Sequence, residues 1–162
     1  DKTKHIKNIL SFCDRLLPSG RYVSCDYGTQ NATVFLLWNK GTDGVWYCIR
    51  EYYYSGRTEG KQKTDSEYAD DLEKLVWKKR KIKGIIVDPS AASFIAELRK
   101  RGYKVVKAKN NVEDGIRVVG TKLNQKAIIF ADSCVNTIQE FGSYIWDKKG
   151  SSTWRRQTGK RT

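Results

Sequence analysis

Two regimes of apolar spacing run along this chain. From residue 4 to 17, Ile6, Ile9, Leu10, Phe12, Cys13, Leu16 and Leu17 recur at helical intervals, and Pro18-Ser-Gly20 closes the run. The spacing predicts a lead-in helix outside the core. Three segments rich in Val, Ile, Tyr, Trp and Phe follow at 21–27, 32–39 and 44–54, separated by Gly28-Thr-Gln-Asn31 and Lys40-Gly-Thr-Asp-Gly44. Links this short predict an antiparallel meander. Residues 55–63 are polar and predict a loop. Thr64-Asp-Ser-Glu67 then carries a capping box at the head of a helix marked by Tyr68, Leu72, Leu75 and Val76 and running to about residue 79. Beyond it the pattern alternates: strand 83–88, helix 90–101, strand 103–107, helix 111–124, strand 127–130 and helix 133–144.

A meander followed by βαβ units predicts an α/β fold: a mixed sheet, antiparallel then parallel, flanked by helices. This is the element order of the ribonuclease H-like fold. In that topology the first and fourth strands are parallel neighbours. Each ends in an aspartate, in Tyr22-Val-Ser-Cys-Asp26 and Gly84-Ile-Ile-Val-Asp88. Asp26 and Asp88 are therefore expected side by side, an oxygen-rich pair of the kind that holds Mg²⁺ or Mn²⁺. Taken singly, Asp26 also suits a turn before Gly28, and Asp88 a helix cap before Pro89.

Composition bounds the rest. With 162 residues and 39% hydrophobic content, one core is expected, and no run approaches the roughly 18 apolar residues of a membrane span. The sequence contains no Met and no signal-peptide pattern, so a fragment or processed product is expected. Cys13, Cys25, Cys48 and Cys134 form no C-x-x-C pair and are expected as reduced core thiols of a cytosolic protein. His5 is the single histidine, which argues against His-based catalysis and leaves carboxylates as the reactive groups. Lys and Arg number 31 against 18 acidic residues, a net charge of +13 clustered at 78–83, 99–109 and from 148 onward. A field of that sign attracts polyanions, nucleic acid first.

Six motifs in order carry a family resemblance over about residues 20–149: C-D-Y-G-T-Q-N at 25–31, R-E-Y-Y-Y-S-G-R at 50–57, K-T-D-S-E-Y-A-D-D-L at 63–72, V-D-P-S-A-A-S-F-I-A-E-L at 87–98, A-K-N-N-V-E-D-G-I at 108–116 and E-F-G-S-Y-I-W-D at 140–147. The chain resembles the C-terminal nuclease domain of the large terminase subunit of tailed bacteriophages and prophages. The resemblance implies a metal-dependent endonuclease that cuts concatemeric phage DNA during packaging in the cytoplasm of the bacterial host. It implies a two-metal site of Mg²⁺ or Mn²⁺ in which Asp26 and Asp88 match two of three carboxylates. It also implies double-stranded DNA as substrate and, in the full-length protein, an ATPase motor domain, a small terminase subunit and a portal as partners. Arg57, Lys61 and Lys63 in the polar loop, with Lys107 and Lys109, are expected to touch the DNA backbone.

The departure lies at the C-terminus. Members of the family continue to a D-H-x-x-D-A-x-R-Y motif that supplies the third carboxylate, whereas this chain ends in a basic tail at 148–162. One codon choice for the residues from Gly150 onward, moved by one base, gives the family-like A-A-A-R-G-E-D-R-P-V-K-E, so a frameshift near Gly150 is the expected origin of the tail. The domain is accordingly expected over 21–147, with impaired activity. Asp114, Asp132, Glu140 and Asp147 are the remaining acidic candidates to substitute for the missing ligand. Two alternatives stay open, an inactive DNA-binding module and a resolvase-type nuclease of the same fold.

Overall fold

The computed structural model describes residues 2–28, 31–77, 81–109, 111–145 and 155–156. Asp147 and all of the tail except Arg155–Arg156 lie outside the described residues. The meander forms as predicted: β2 (Leu16–Asp26) pairs antiparallel with β3 (Thr33–Gly41), and β3 with β4 (Trp46–Tyr54). The βαβ half follows as β5 (Gly84–Val87), α3 (Ala92–Lys100), β6 (Val105–Lys107), α4 (Val112–Asn124), β7 (Ile128–Ala131) and α5 (Val135–Ser143). With β1 (Ile6–Lys7) these strands make one mixed seven-stranded sheet in the order β1-β7-β4-β3-β2-β5-β6. Tyr144–Ile145 (β8) and Arg155–Arg156 (β9) pair as a separate two-stranded ribbon.

Alternation along the strands divides the sheet into two faces. One face carries Val23, Phe35, Leu37, Ile85 and Val87, all fully buried under α2 (Asp65–Val76) and α3 through Tyr68, Leu72, Leu75, Phe94 and Leu98. Phe35 is the centre of this core, its ring stacked 5.0 Å from Tyr52 and 5.7 Å from Phe94. The other face meets α5, where Trp38 packs edge-on to Phe130 and Phe130 against Phe141. The capping box at the head of α2 is present, with Thr64 accepting from the Glu67 amide and Glu67 from the Thr64 amide.

One irregularity sets which side chains reach which face. The β3–β4 register steps from Leu37↔Arg50 to Trp38↔Cys48, so Ile49 is an extra residue opposite the β3 ladder. Beyond this bulge the phase of β4 is reversed. Tyr52 and Arg50 point toward α2, where Tyr52 donates to Asp71 and Arg50 to the Leu75 carbonyl, while Glu51 points toward α5.

The expected lead-in helix is corrected. Residues 2–15 form three 3₁₀ turns, Lys2–His5, Ile9–Ser11 and Cys13–Arg15, around the short strand β1, which pairs parallel with β7. The helical spacing did not reflect a buried face, since Leu10 is 79% exposed and Cys13, expected in the core, is exposed as well. Asn8 competes with a continuous helix by accepting the Leu10 amide on its side chain. Phe12 is not peripheral: it is buried and stacks 4.5 Å from Tyr47. Pro18-Ser-Gly20 lies inside β2, in the register break between Leu16 and Arg21, where a residue without an amide hydrogen costs no ladder bond. The predicted 55–63 loop contains one short helical turn, α1 (Gly56–Glu59), capped by Ser55.

Candidate metal centre at paired strand ends

β2 and β5 are adjacent and parallel, with Cys25 opposite Val87. Continuing that register by one step places Asp26 opposite Asp88. Both lie on the face opposite the fully buried Val23–Ile85 row, at the edge where the parallel strands end. Asp26 remains partly open to solvent, yet loss of hydration on its packed side, and then the charge of Asp88, raise its carboxyl above the usual carboxylate range. The two carboxylates therefore concentrate negative charge at the strand ends. Such a pair disfavours full ionisation unless a cation is present.

Local sequence fixes both carboxylates. Asp88 Oδ1 accepts the Ser90 amide at 2.8 Å, and its carbonyl accepts the Ala91 amide at 3.1 Å, so the turn into α3 orients the side chain. Asp88 is not the helix cap, a position that falls to Ala91 without a side-chain bond; its carboxylate instead closes the turn ahead of α3 while standing beside Asp26. After Asp26 the chain turns at Gly28, where a Cβ would lie 2.7 Å from the Asn31 carbonyl and 2.9 Å from that of Ala32. Only glycine fits that turn. Thr33, fully buried, closes it by donating to the Gly28 carbonyl.

The basic residues divide. Lys107 pairs with Val87 in the β5–β6 ladder, one residue from Asp88, and Lys109 follows two positions later. Arg57 lies in α1, just past the end of β4, at the same edge of the sheet. Lys61 is exposed and 3.3 Å from Glu67. Lys63 is engaged in the fold: its ammonium pairs with Asp71 and sits 4.3 Å from the Tyr54 ring centre. Burial lifts the Asp71 carboxyl, but hydrogen bonds from Lys63, Tyr52 and Lys74 outweigh it and hold the group below its ordinary range.

Among the described residues the acidic candidates do not gather at the pair. Asp132 follows β7, three strands from β2 and so about 14 Å away laterally, and accepts from Asn8 at 3.2 Å. Asp114 is on exposed α4, bonded to Arg117 at 2.6 Å. Glu140 belongs to α5, and Asp147 lies outside the described residues. Among the described residues no group of three or more His, Cys, Asp or Glu side chains is placed to hold a metal ion.

Sequence reasoning missed Glu51. It stands one row behind the aspartates on the same face, and its carboxylate accepts four hydrogen bonds at the head of α5: Asn136 N at 2.7 Å, Asn136 Nδ2 at 3.1 Å, Thr137 N at 2.9 Å and Thr137 Oγ1 at 2.8 Å. Glu51 is thus a helix anchor. Its signal was a lone carboxylate inside an aromatic strand, which needs a partner when half-buried.

No known family profile matches the chain, and no curated protein sequence does so. Solved structures do. The large terminase of a thermophilic bacteriophage, in complex with ADP, is 53% identical, with a TM-score of 0.83 over 92% of this chain and 36% of that one. The P22 large terminase nuclease domain shares 14% identity and a TM-score of 0.73, over 93% of this chain and 79% of that one. The large terminase nuclease of thermophilic phage G20c, with bound magnesium, shares 15% identity and a TM-score of 0.62, over 88% and 75%. These last two are likenesses of fold, the ribonuclease H-like mixed sheet expected from the element order. The chain spans little more than a third of the ADP-bound terminase. At 53% identity to that protein over 92% of its own length, the chain belongs to the phage large terminase family, and its fold is that of the P22 and G20c nucleases.

Proposed function

We propose that this chain is a divalent-metal-dependent endodeoxyribonuclease that cuts double-stranded phage DNA during genome packaging. The observation that carries this reading is the pairing of Asp26 and Asp88 at adjacent strand ends, with the Asp26 carboxyl raised by burial and by its neighbour. Two carboxylates that repel one another fit a hard divalent cation, Mg²⁺ or Mn²⁺, whose binding relieves both the repulsion and the lost hydration. Asp26 and Asp88 would hold it. When bound, such a cation lowers the pKa of a coordinated water and offsets charge on the phosphate under attack.

The chain's own residues supply the rest. Asp88, oriented by the Ser90 amide, and Asp26, fixed by the Gly28 turn, set where the scissile phosphate can approach. Lys107 and Lys109 lie beside Asp88 and Arg57 at the same sheet edge, where they would neutralise flanking phosphates. Lys61 would add to them only on leaving Glu67, and the pairing of Lys63 with Asp71 makes it a scaffold residue. No helix among the described residues is long and apolar enough to cross a membrane. Action in the host cytoplasm, alongside an ATPase motor, small subunit and portal, is part of this proposal. The complex of the 53%-identical terminase with ADP supports the motor context.

The test is incubation of the chain with supercoiled plasmid in Mn²⁺, Mg²⁺ or EDTA, beside Asp26→Ala and a variant whose tail is replaced by the family-like continuation. Cutting that needs metal and Asp26 supports the proposal. Plasmid retardation without cutting in every variant would instead identify a DNA-binding module.

A further inference from the structure

We propose that Tyr27 is a positioning residue that sets the separation of Asp26 and Asp88 by tying both strand ends to one aromatic stack. This rests on the metal-centre reading above. Tyr27 immediately follows Asp26. Its ring lies face to face with Phe94, centres 4.6 Å apart and planes inclined by 11°, and edge-on to Tyr68 at 5.4 Å. Phe94 is fully buried on α3, the helix that the Asp88 turn opens. A shift of Tyr27 relative to Phe94 is therefore a shift of Asp26 relative to Asp88.

A second tie fixes the ring in its own plane. The Tyr27 hydroxyl donates to Asp65, the first residue of α2. Asp65 is itself held, because the Thr64–Glu67 capping box immobilises the turn around it and the helix N-terminus favours its charge. α2 is then locked to α3 by Arg101, which donates to Asp70 at 2.6 Å, Glu97 at 2.8 Å and the Ser66 carbonyl at 3.1 Å. The path from Asp26 through Tyr27 to Asp88 thus closes twice, through Phe94 directly and through Asp65, α2 and Arg101. Groups that orient metal ligands from one shell out commonly govern about 10- to 100-fold in metal affinity.

The test is calorimetric titration of Mn²⁺ into the DNA-free chain, with thermal unfolding measured on the same samples. Phe12→Leu serves as the control, since Phe12 stacks on Tyr47 at the distant end of the sheet and its loss lowers stability without touching the strand ends. Tyr27→Leu is expected to weaken Mn²⁺ binding about tenfold or more, whereas Phe12→Leu, for a similar loss in melting temperature, leaves it within about twofold. Tyr27→Phe and Asp65→Ala keep the stack and remove only the hydroxyl tie, so each is expected to weaken binding by a smaller factor, about threefold. If Tyr27→Leu does not fold, these two variants decide. Unchanged Mn²⁺ affinity in the Tyr27 and Asp65 variants would overturn the proposal. A native chain that takes up no Mn²⁺ would overturn the metal-centre reading itself and this inference with it, a distinguishable result.

Discussion

Replacing Glu51 by Ala tests how the sheet holds α5. The carboxylate serves two backbone amides and two side-chain donors of Asn136 and Thr137. Losing a helix cap costs about 1 kcal/mol and up to about 2. The two side-chain donors, left without their charged acceptor but still reached in part by water, together add about 1–2 kcal/mol. The sum is about 2–4 kcal/mol, which for a domain of this size lowers the melting temperature by roughly 5–15 °C. Glu51→Gln keeps one acceptor oxygen but loses the charge that complements the helix N-terminus, so about half the effect is expected. Thermal unfolding followed by circular dichroism gives the magnitude, and hydrogen exchange at the Asn136 and Thr137 amides gives the place. A Glu51→Ala melting point within about 2 °C of native, a shift too small for even one lost cap, with those amides still protected, would refute the anchoring role.

Three further outcomes follow from the same geometry. Gly28→Ala drives a Cβ against two carbonyl oxygens that cannot withdraw without moving the Asp26 turn, so about 1–3 kcal/mol of stability and Mn²⁺ binding should be lost together, as calorimetry would record. Because the Asp26 carboxyl is raised in the folded chain, its contribution to stability is full below the ordinary carboxylate range and falls as pH rises through the raised value; chemical denaturation of the metal-free chain should show that decline, and Asp26→Asn should flatten it. Lys63→Met should lower stability by about 1–2 kcal/mol while barely changing the salt dependence of DNA binding, whereas Lys107→Ala and Lys109→Ala should each reduce the salt slope by about one, as filter binding would show.

What the sequence revealed and what it hid follow from range and register. The strand and helix order from residue 21 to 144 was legible because each element satisfies its own periodicity and is bounded by turn residues. Asp26 and Asp88 were legible because parallel neighbours that both end in Asp must bring them together. The N-terminal segment misled because Leu10 and Ile9 keep helical spacing without a face to bury, while Asn8 and the β1–β7 pairing win the backbone. The Ile49 bulge shifts β4 by one residue, and no local pattern announces such a shift, so the inward turn of Glu51 toward α5 was hidden. Tyr27 was hidden for a related reason. Its partners Asp65 and Phe94 are distant in sequence, and an aromatic beside an aspartate at a strand end looks the same whether or not it is tied.

Whether Asp26 and Asp88 form one metal-dependent cutting centre, as proposed, is decided by plasmid cleavage in Mn²⁺ with the native chain, Asp26→Asn, Asp88→Asn and the double variant. Two ligands of one centre are strongly non-additive. Each single substitution should therefore abolish cutting as fully as the pair does, and EDTA should have the same effect on the native chain. Cutting that survives EDTA, or that persists when either aspartate is replaced, would contradict the proposal.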